Sequence, residues 1–177
     1  MFLVHIILVN LSTNVVSINT LSVTLTSKAR SCTLYNMDIL LDASAIMAII
    51  LNEQTRGTVI MLTKNTTLLS PEVISFEIGN ALVNLYRKQK ISESELLEAY
   101  RNFALIPIRN IKTDVEKALK IACKYKIYAY DAYYLEIAGR LKIPLITFDE
   151  SMKRVAFNLK INILDKPSQT GELNESL

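Results

Sequence analysis

Four carboxylates stand where a carboxylate is costly. Asp42 ends the apolar run DILLD, Glu77 lies in SPEVISFEIGNAL, Asp131 sits among the tyrosines of YAYDAYYLEI, and Asp149 ends PLITFD. A charged group in such company is expensive to desolvate unless it caps a helix, is paired, or coordinates a cation. Each has an ordinary explanation by itself: Asp42 and Asp149 as turn residues, Asp131 as a helix N-cap. Gathered in one crevice, the four would repel one another and raise their own pKa values unless a divalent cation compensated. Hard oxygen donors of this kind suit Mg²⁺ or Mn²⁺, which retain waters and meet substrate phosphates directly. The chemistry that follows is hydrolysis by a water activated on the ion, with the ion stabilising charge on a phosphoryl transition state.

Such convergence needs elements that bring the acids together. DILLD (38–42) reads as a short buried strand, and the apolar residues after Asp42 continue into a helix. TLLSP (67–71) reads as a second strand, with Pro71 in the first turn of a helix through PEVISFEIGNALVNLYRKQ. Ile74, Ile78 and Ala81 lie within a turn of Glu77, which places that acid on or beside the buried stripe. Ser92 and Glu95 form a capping box for the next helix. LIPIR (105–109) follows as a strand, Asp114 opens a helix through Lys124, and Asp131 opens another through Leu141 with Tyr134, Ile137, Ala138 and Leu141 buried. PLITFD (144–149) is a strand, Ser151 opens a short helix, and INILD (161–165) is the last strand. Alternating strands and helices predict a mainly parallel sheet with helices on both faces. In such a sheet the carboxyl ends of the strands form the ligand-binding crevice, and both Asp42 and Asp149 arrive there.

Composition narrows the chemistry further. The chain has 177 residues, 50% of them hydrophobic and 21% charged, enough for one domain with a sizeable core. Its one histidine, His5, rules out Ser-His-Asp and Cys-His sites, histidine-based ribonuclease chemistry and His-rich zinc sites. Two cysteines, Cys32 and Cys123, are too few for a disulfide framework and fit a reducing, cytoplasmic compartment. No Gly-rich phosphate loop is present. Residues 1–36 carry no acidic residue; their apolar start, MFLVHIILV, is too short to span a bilayer, so no membrane association is expected. Met37 is expected to begin a self-sufficient domain over 37–165, with 1–36 a dispensable extension and 166–177 a polar tail.

The order Asp42-Ala43-Ser44 after a strand, Glu77-Ile78-Gly79-Asn80, Asp131-Ala132 at a helix start, and Thr147-Phe148-Asp149 resembles the PIN-domain family, most closely its small VapC-type toxins. The resemblance covers roughly residues 37–165. It implies a three-layer α/β/α fold and a Mg²⁺- or Mn²⁺-dependent endoribonuclease that forms a homodimer and is inhibited by a cognate antitoxin. Asp42 and Asp131 would be the principal metal ligands, Glu77 and Asp149 would complete the acidic cluster, and Ser44, Asn80 and Thr147 would orient the acids or bind phosphate and water. The extension before Met37 departs from the family pattern.

Residues 37–165 hold 17 Lys and Arg against 15 Asp and Glu, so setting the four clustered acids aside leaves a clearly basic remainder, suited to a polyanion such as RNA. Arg87, Lys88 and Lys90 leave one helix end together and are candidate RNA contacts, though a solvated helix terminus explains them equally well. Tyr128, Tyr130 and Tyr133 suit either base stacking or packing in a core or dimer. Two other readings compete: a PIN nuclease of RNA processing or quality control, and a non-catalytic PIN-like module, whose hallmark would be loss of an acid. A haloacid-dehalogenase-type phosphatase would want an aspartate where Ser44 stands.

Overall fold

The structure, a computed structural model, describes residues 37–165; the expected extension 1–36 and tail 166–177 lie outside the described residues. The order of elements is β1 (Met37–Leu41), α1 (Ala43–Ile50), α2 (Arg56–Leu62), β2 (Thr66–Pro71), α3 (Ile74–Arg87), α4 (Glu93–Ala104), β3 (Ile108–Ile111), α5 (Val115–Tyr125), α6 (Ala129–Leu141), β4 (Leu145–Ile146) and α7 (Glu150–Asn158).

The four strands form one sheet in the order β3-β2-β1-β4, and every pairing is parallel. Parallel neighbours require a crossover, and the helices between the strands supply it. Successive side chains of a strand face opposite sides of a sheet. Ile39, Leu40 and Leu41 are all fully buried, so helices cover both faces of β1 and the described domain has three layers. The core continues through Leu69 of β2, Ile74, Ile78 and Leu82 of α3, and Tyr134, Leu135, Ile137 and Ala138 of α6. Central β1 therefore delivers its last residue, Asp42, at the carboxyl edge of a sheet dry on both sides.

Several boundaries differ from the expectation, each for a local reason. Pro71 ends β2, paired in register with Ile111, instead of opening α3; the next backbone N–H, that of Glu72, bonds to the Ile111 carbonyl at 3.2 Å. The strand expected at 105–109 begins at Ile108, because Leu105 is the C-cap of α4 and Pro107 forces the residue before it out of helix. β4 is two residues long, since Thr147 and Asp149 turn away to make side-chain bonds. The segment expected as a last strand contributes one parallel bridge, Ile163 with Leu145. Helix α7 is capped by Asp149 rather than opened by Ser151. Helix α6 starts earlier than expected, with Tyr128 at the N-cap, which places Asp131 inside its first turn; at its far end Leu141 is exposed rather than buried. The Ser92–Glu95 capping box and the Asp114 cap stand as expected.

Candidate active site

Asp42 follows β1 directly and caps α1 through the Ala45 N–H, 2.8 Å from its Oδ1. Its carboxylate is 3% exposed. The Ser44 hydroxyl lies 2.7 and 2.9 Å from the two oxygens, and the Thr147 hydroxyl donates to Oδ2 at 2.6 Å. Each hydroxyl is itself aimed by a backbone donor: Phe148 N–H bonds to Ser44 Oγ at 2.9 Å, and Asp149 N–H bonds to Thr147 Oγ1 at 3.0 Å. Both hydroxyl protons therefore point at Asp42. With the Ala45 N–H that makes three donors, and a carboxylate accepts about four. Room for one further partner remains.

The other acids arrive from separate elements. Glu77 lies in the first turn of α3, half-buried beside the stripe of Ile74, Ile78 and Leu82, and accepts the Tyr134 hydroxyl at 2.6 Å. Asp131 is the third residue of α6, half-buried, and Asp149 caps α7 by accepting the Met152 N–H at 2.7 Å. Burial raises the pKa of Asp42 above the ordinary carboxylate range against its three donors, and the Asp149 charge raises it further. Glu77 is raised by burial and by the charges of Asp42 and Asp131, with the Tyr134 bond opposing. Asp131 is raised by burial and then by Asp149, against a backbone bond from Tyr128. Charge thus links the acids: that of Asp149 acts on Asp42 and Asp131, and theirs acts on Glu77.

None of the four has a cationic partner among the described residues. Glu136, the other buried acid, shows what a structural carboxylate does instead. It is bonded to Arg140 Nε at 2.6 Å and accepts the Asp114 N–H at 3.2 Å. Uncompensated hard oxygens beside a half-open rim fit a divalent cation chemically. No three acids among the described residues lie close enough to hold one ion between them.

Of the residues expected to support the acids, Ser44 and Thr147 are in place. Asn80 is exposed, one turn beyond Glu77, and stays out of the network around Asp42. Arg87, Lys88 and Lys90 are exposed at the far end of α3, where Arg87 and Lys90, but not Lys88, line an open groove of about 560 Å³ with Tyr86, Ile91 and Glu95. Ten residues of helix put them roughly 15 Å along the axis from Glu77, so they are not part of the acid cluster. Tyr128 is 84% exposed and Tyr130 45%, so neither belongs to the core. Sequence reading missed Tyr134 as a partner of Glu77, having assigned it to the buried stripe. It also passed over Ser70, a fully buried hydroxyl that donates to the Leu41 carbonyl at 2.8 Å, just before Asp42. A buried Tyr one turn after a candidate acid was the signal available for the first.

The PIN-domain family model matches residues 39–158. Ribonuclease VapC12 of Mycobacterium tuberculosis, in two strains, is 28% identical over 113 residues, covering 63% of this chain and 86% of that protein. The crystal structure of PAE2754 from Pyrobaculum aerophilum superposes with a TM-score of 0.57 at 20% identity, covering 72% of this chain and 83% of the other, a likeness of fold. With its fold, its four ordered acids and a family match over most of its length, this chain belongs to the PIN-domain family.

Proposed function

We propose that this chain is a divalent-metal-dependent endoribonuclease that hydrolyses RNA phosphodiester bonds as the toxin of a VapBC-type pair. The observation that carries the reading is the arrival of Asp42, Glu77, Asp131 and Asp149 from four separate elements at one edge of the sheet, mutually repelling and without a cation of their own. The similarity to Ribonuclease VapC12 supports RNA as the substrate, and an antitoxin partner is what the resemblance to VapC-type toxins implies.

Asp42 and Asp131 would hold the ion, with Glu77 and Asp149 as further oxygen donors around it. Such an ion supplies charge neutralisation at the phosphodiester and lowers the pKa of water to yield a nucleophile. The protein supplies order. Ser44, Thr147 and the Ala45 N–H fix both oxygens of Asp42, and the Met152 N–H fixes Asp149. Asp149 is exposed and Asp131 half-buried, so a polyanion can approach the cluster from their side, and the basic remainder of the surface favours that approach. The ion in this reading is Mg²⁺ or Mn²⁺. In this reading the toxin acts as a homodimer in the cytoplasm.

The purified full chain, incubated with end-labelled single-stranded RNA, should cut it internally with Mg²⁺ or Mn²⁺ and stop on adding EDTA. Asp42→Asn should remove the activity. Cleavage that survives both EDTA and Asp42→Asn would sink the reading. A small protein encoded next to this gene should bind the chain and inhibit it.

A further inference from the structure

Tyr134 is fully buried, and a phenol hydroxyl taken out of water needs a partner. Phenylalanine would fill the same space without that requirement. The neighbouring Ser70 spends its single proton on the Leu41 carbonyl, so the Tyr134 proton is free for Glu77, whose Oε2 lies 2.6 Å away. Tyr134 is also one helical turn after Asp131, on the same face of α6. One turn of α6 therefore presents a carboxylate to the site and a donor to a second carboxylate on α3. Glu77 has a long side chain, and repulsion from Asp42 and Asp131 pushes it away from them. The Tyr134 bond acts against that push.

We propose that Tyr134 is a positioning residue of the acid cluster: its hydroxyl ties Glu77 to α6, holds the carboxylate beside Asp42 and Asp131, and so sets the affinity of the site for its divalent ion. This role rests on the metal-dependent reading above. It needs no contact between Tyr134 and ion or RNA.

Mn²⁺ binding to the EDTA-stripped full chain, followed by calorimetry, tests it. Tyr134→Phe should weaken Mn²⁺ binding by about 10- to 100-fold, the usual effect of removing a partner of a metal-binding side chain. RNA cleavage by Tyr134→Phe should recover towards wild type as Mn²⁺ is raised. In a Glu77→Gln background, Tyr134→Phe should cost no further affinity, because its effect passes through Glu77. If Tyr134→Phe binds Mn²⁺ as wild type does, or loses affinity equally in the Glu77→Gln background, the role is wrong. Should Tyr134→Phe fail to fold, the wild-type ultraviolet spectrum decides, since the chain has no tryptophan. Mg²⁺ should then produce a buried-tyrosine difference signal that follows the binding curve and vanishes in Glu77→Gln, and its absence overturns the proposal. A wild type that neither binds Mn²⁺ nor cleaves RNA overturns the functional reading itself; one that does both, with Tyr134→Phe unaltered, overturns only the role of Tyr134.

Discussion

The Thr147 hydroxyl sits 2.6 Å from Oδ2 of Asp42, joining the end of β4 to the end of β1 across a separation of 105 residues. Thr147 Oγ1 in turn accepts the Asp149 N–H, so one side chain relays order from one acid to another. Thr147→Val keeps the shape and removes both bonds. A hydrogen bond to a charged, buried group contributes about 1.5–3 kcal/mol, so urea unfolding at neutral pH should show a loss of about 2 kcal/mol. Thr147→Ser should restore most of it. A valine variant as stable as wild type would mean that Asp42 does not depend on this donor.

Raised pKa values make a statement about acid stability. Burial and mutual repulsion make Asp42, Glu77 and Asp131 hold their protons more tightly in the folded chain than in the unfolded one. Their protonation therefore stabilises the fold, fully so below the ordinary carboxylate values of 3.8 and 4.5, and this contribution is lost as pH rises through the raised values. In EDTA the Tm should climb as pH is lowered from neutrality towards that range. Glu95 and Asp114 have lowered values, held down by the Ser92 and Lys117 bonds, so they withdraw stability only at lower pH and turn the curve down again. Saturating Mn²⁺ should flatten the climb, because the ion needs the acids deprotonated. A Tm in EDTA that only falls on acidification would contradict the strain assigned to these three.

Most of the candidate site was legible because its acids follow strands or start helices, positions that apolar runs mark clearly. Asp42 and Asp149 could be placed at strand ends from LLD and ITFD alone, although β4 stops at Ile146 and Asp149 caps α7. What the pattern could not give was the partner across the fold. Tyr134 reads as a core residue by helical spacing, and it is one; its bond to Glu77, 57 residues away, depends on how α6 crosses α3. Helix α2 was missed because RGTVIML buries only Val59 while Ile60 and Met61 are exposed, so no apolar face shows. Asp131 was read as an N-cap because aspartate favours both the cap and the first turn. The true cap, Tyr128, uses no side-chain bond and leaves no mark in the sequence.

Arg140 provides the contrast between a structural acid and the four site acids. Its guanidinium is the only cation paired with the buried Glu136 among the described residues. Arg140→Met should cost about 2 kcal/mol, less than the roughly 3–5 kcal/mol of a fully buried pair, because 35% of the Arg140 side chain remains in water. RNA cleavage well below the Tm should be unchanged. Loss of cleavage without loss of stability would make this pair part of the site.

The basic end of α3 makes its own test. If Arg87, Lys88 and Lys90 contact the RNA backbone, replacing all three by Ala should weaken RNA binding and lower the salt slope of log Kd, by about 0.7 per lost phosphate contact on a single strand. Mn²⁺ affinity should stay the same, given the separation along α3. A slope equal to wild type leaves the three as a solvated helix end.

Asp131 is the acid whose substitution best separates structure from function. As the third residue of α6 it gains a little from the helix dipole, about 0.3–1 kcal/mol at an exposed terminus. Burial and the nearby Asp149 charge act in the opposite direction and prevail, since its pKa is raised. Asp131→Asn removes the charge, keeps the size, and keeps an oxygen that can accept the N–H of the N-cap residue Tyr128. Without metal the variant should therefore melt at the same temperature as wild type or higher. Its RNA cleavage should vanish. Mn²⁺ should raise the wild-type Tm, as any ligand of the folded state does, and raise that of Asp131→Asn far less. Asp42→Asn should also lose cleavage and metal stabilisation. An Asp131→Asn protein that cleaves normally but melts early in EDTA would show this acid to be structural, and the site would have to be rebuilt around the remaining three.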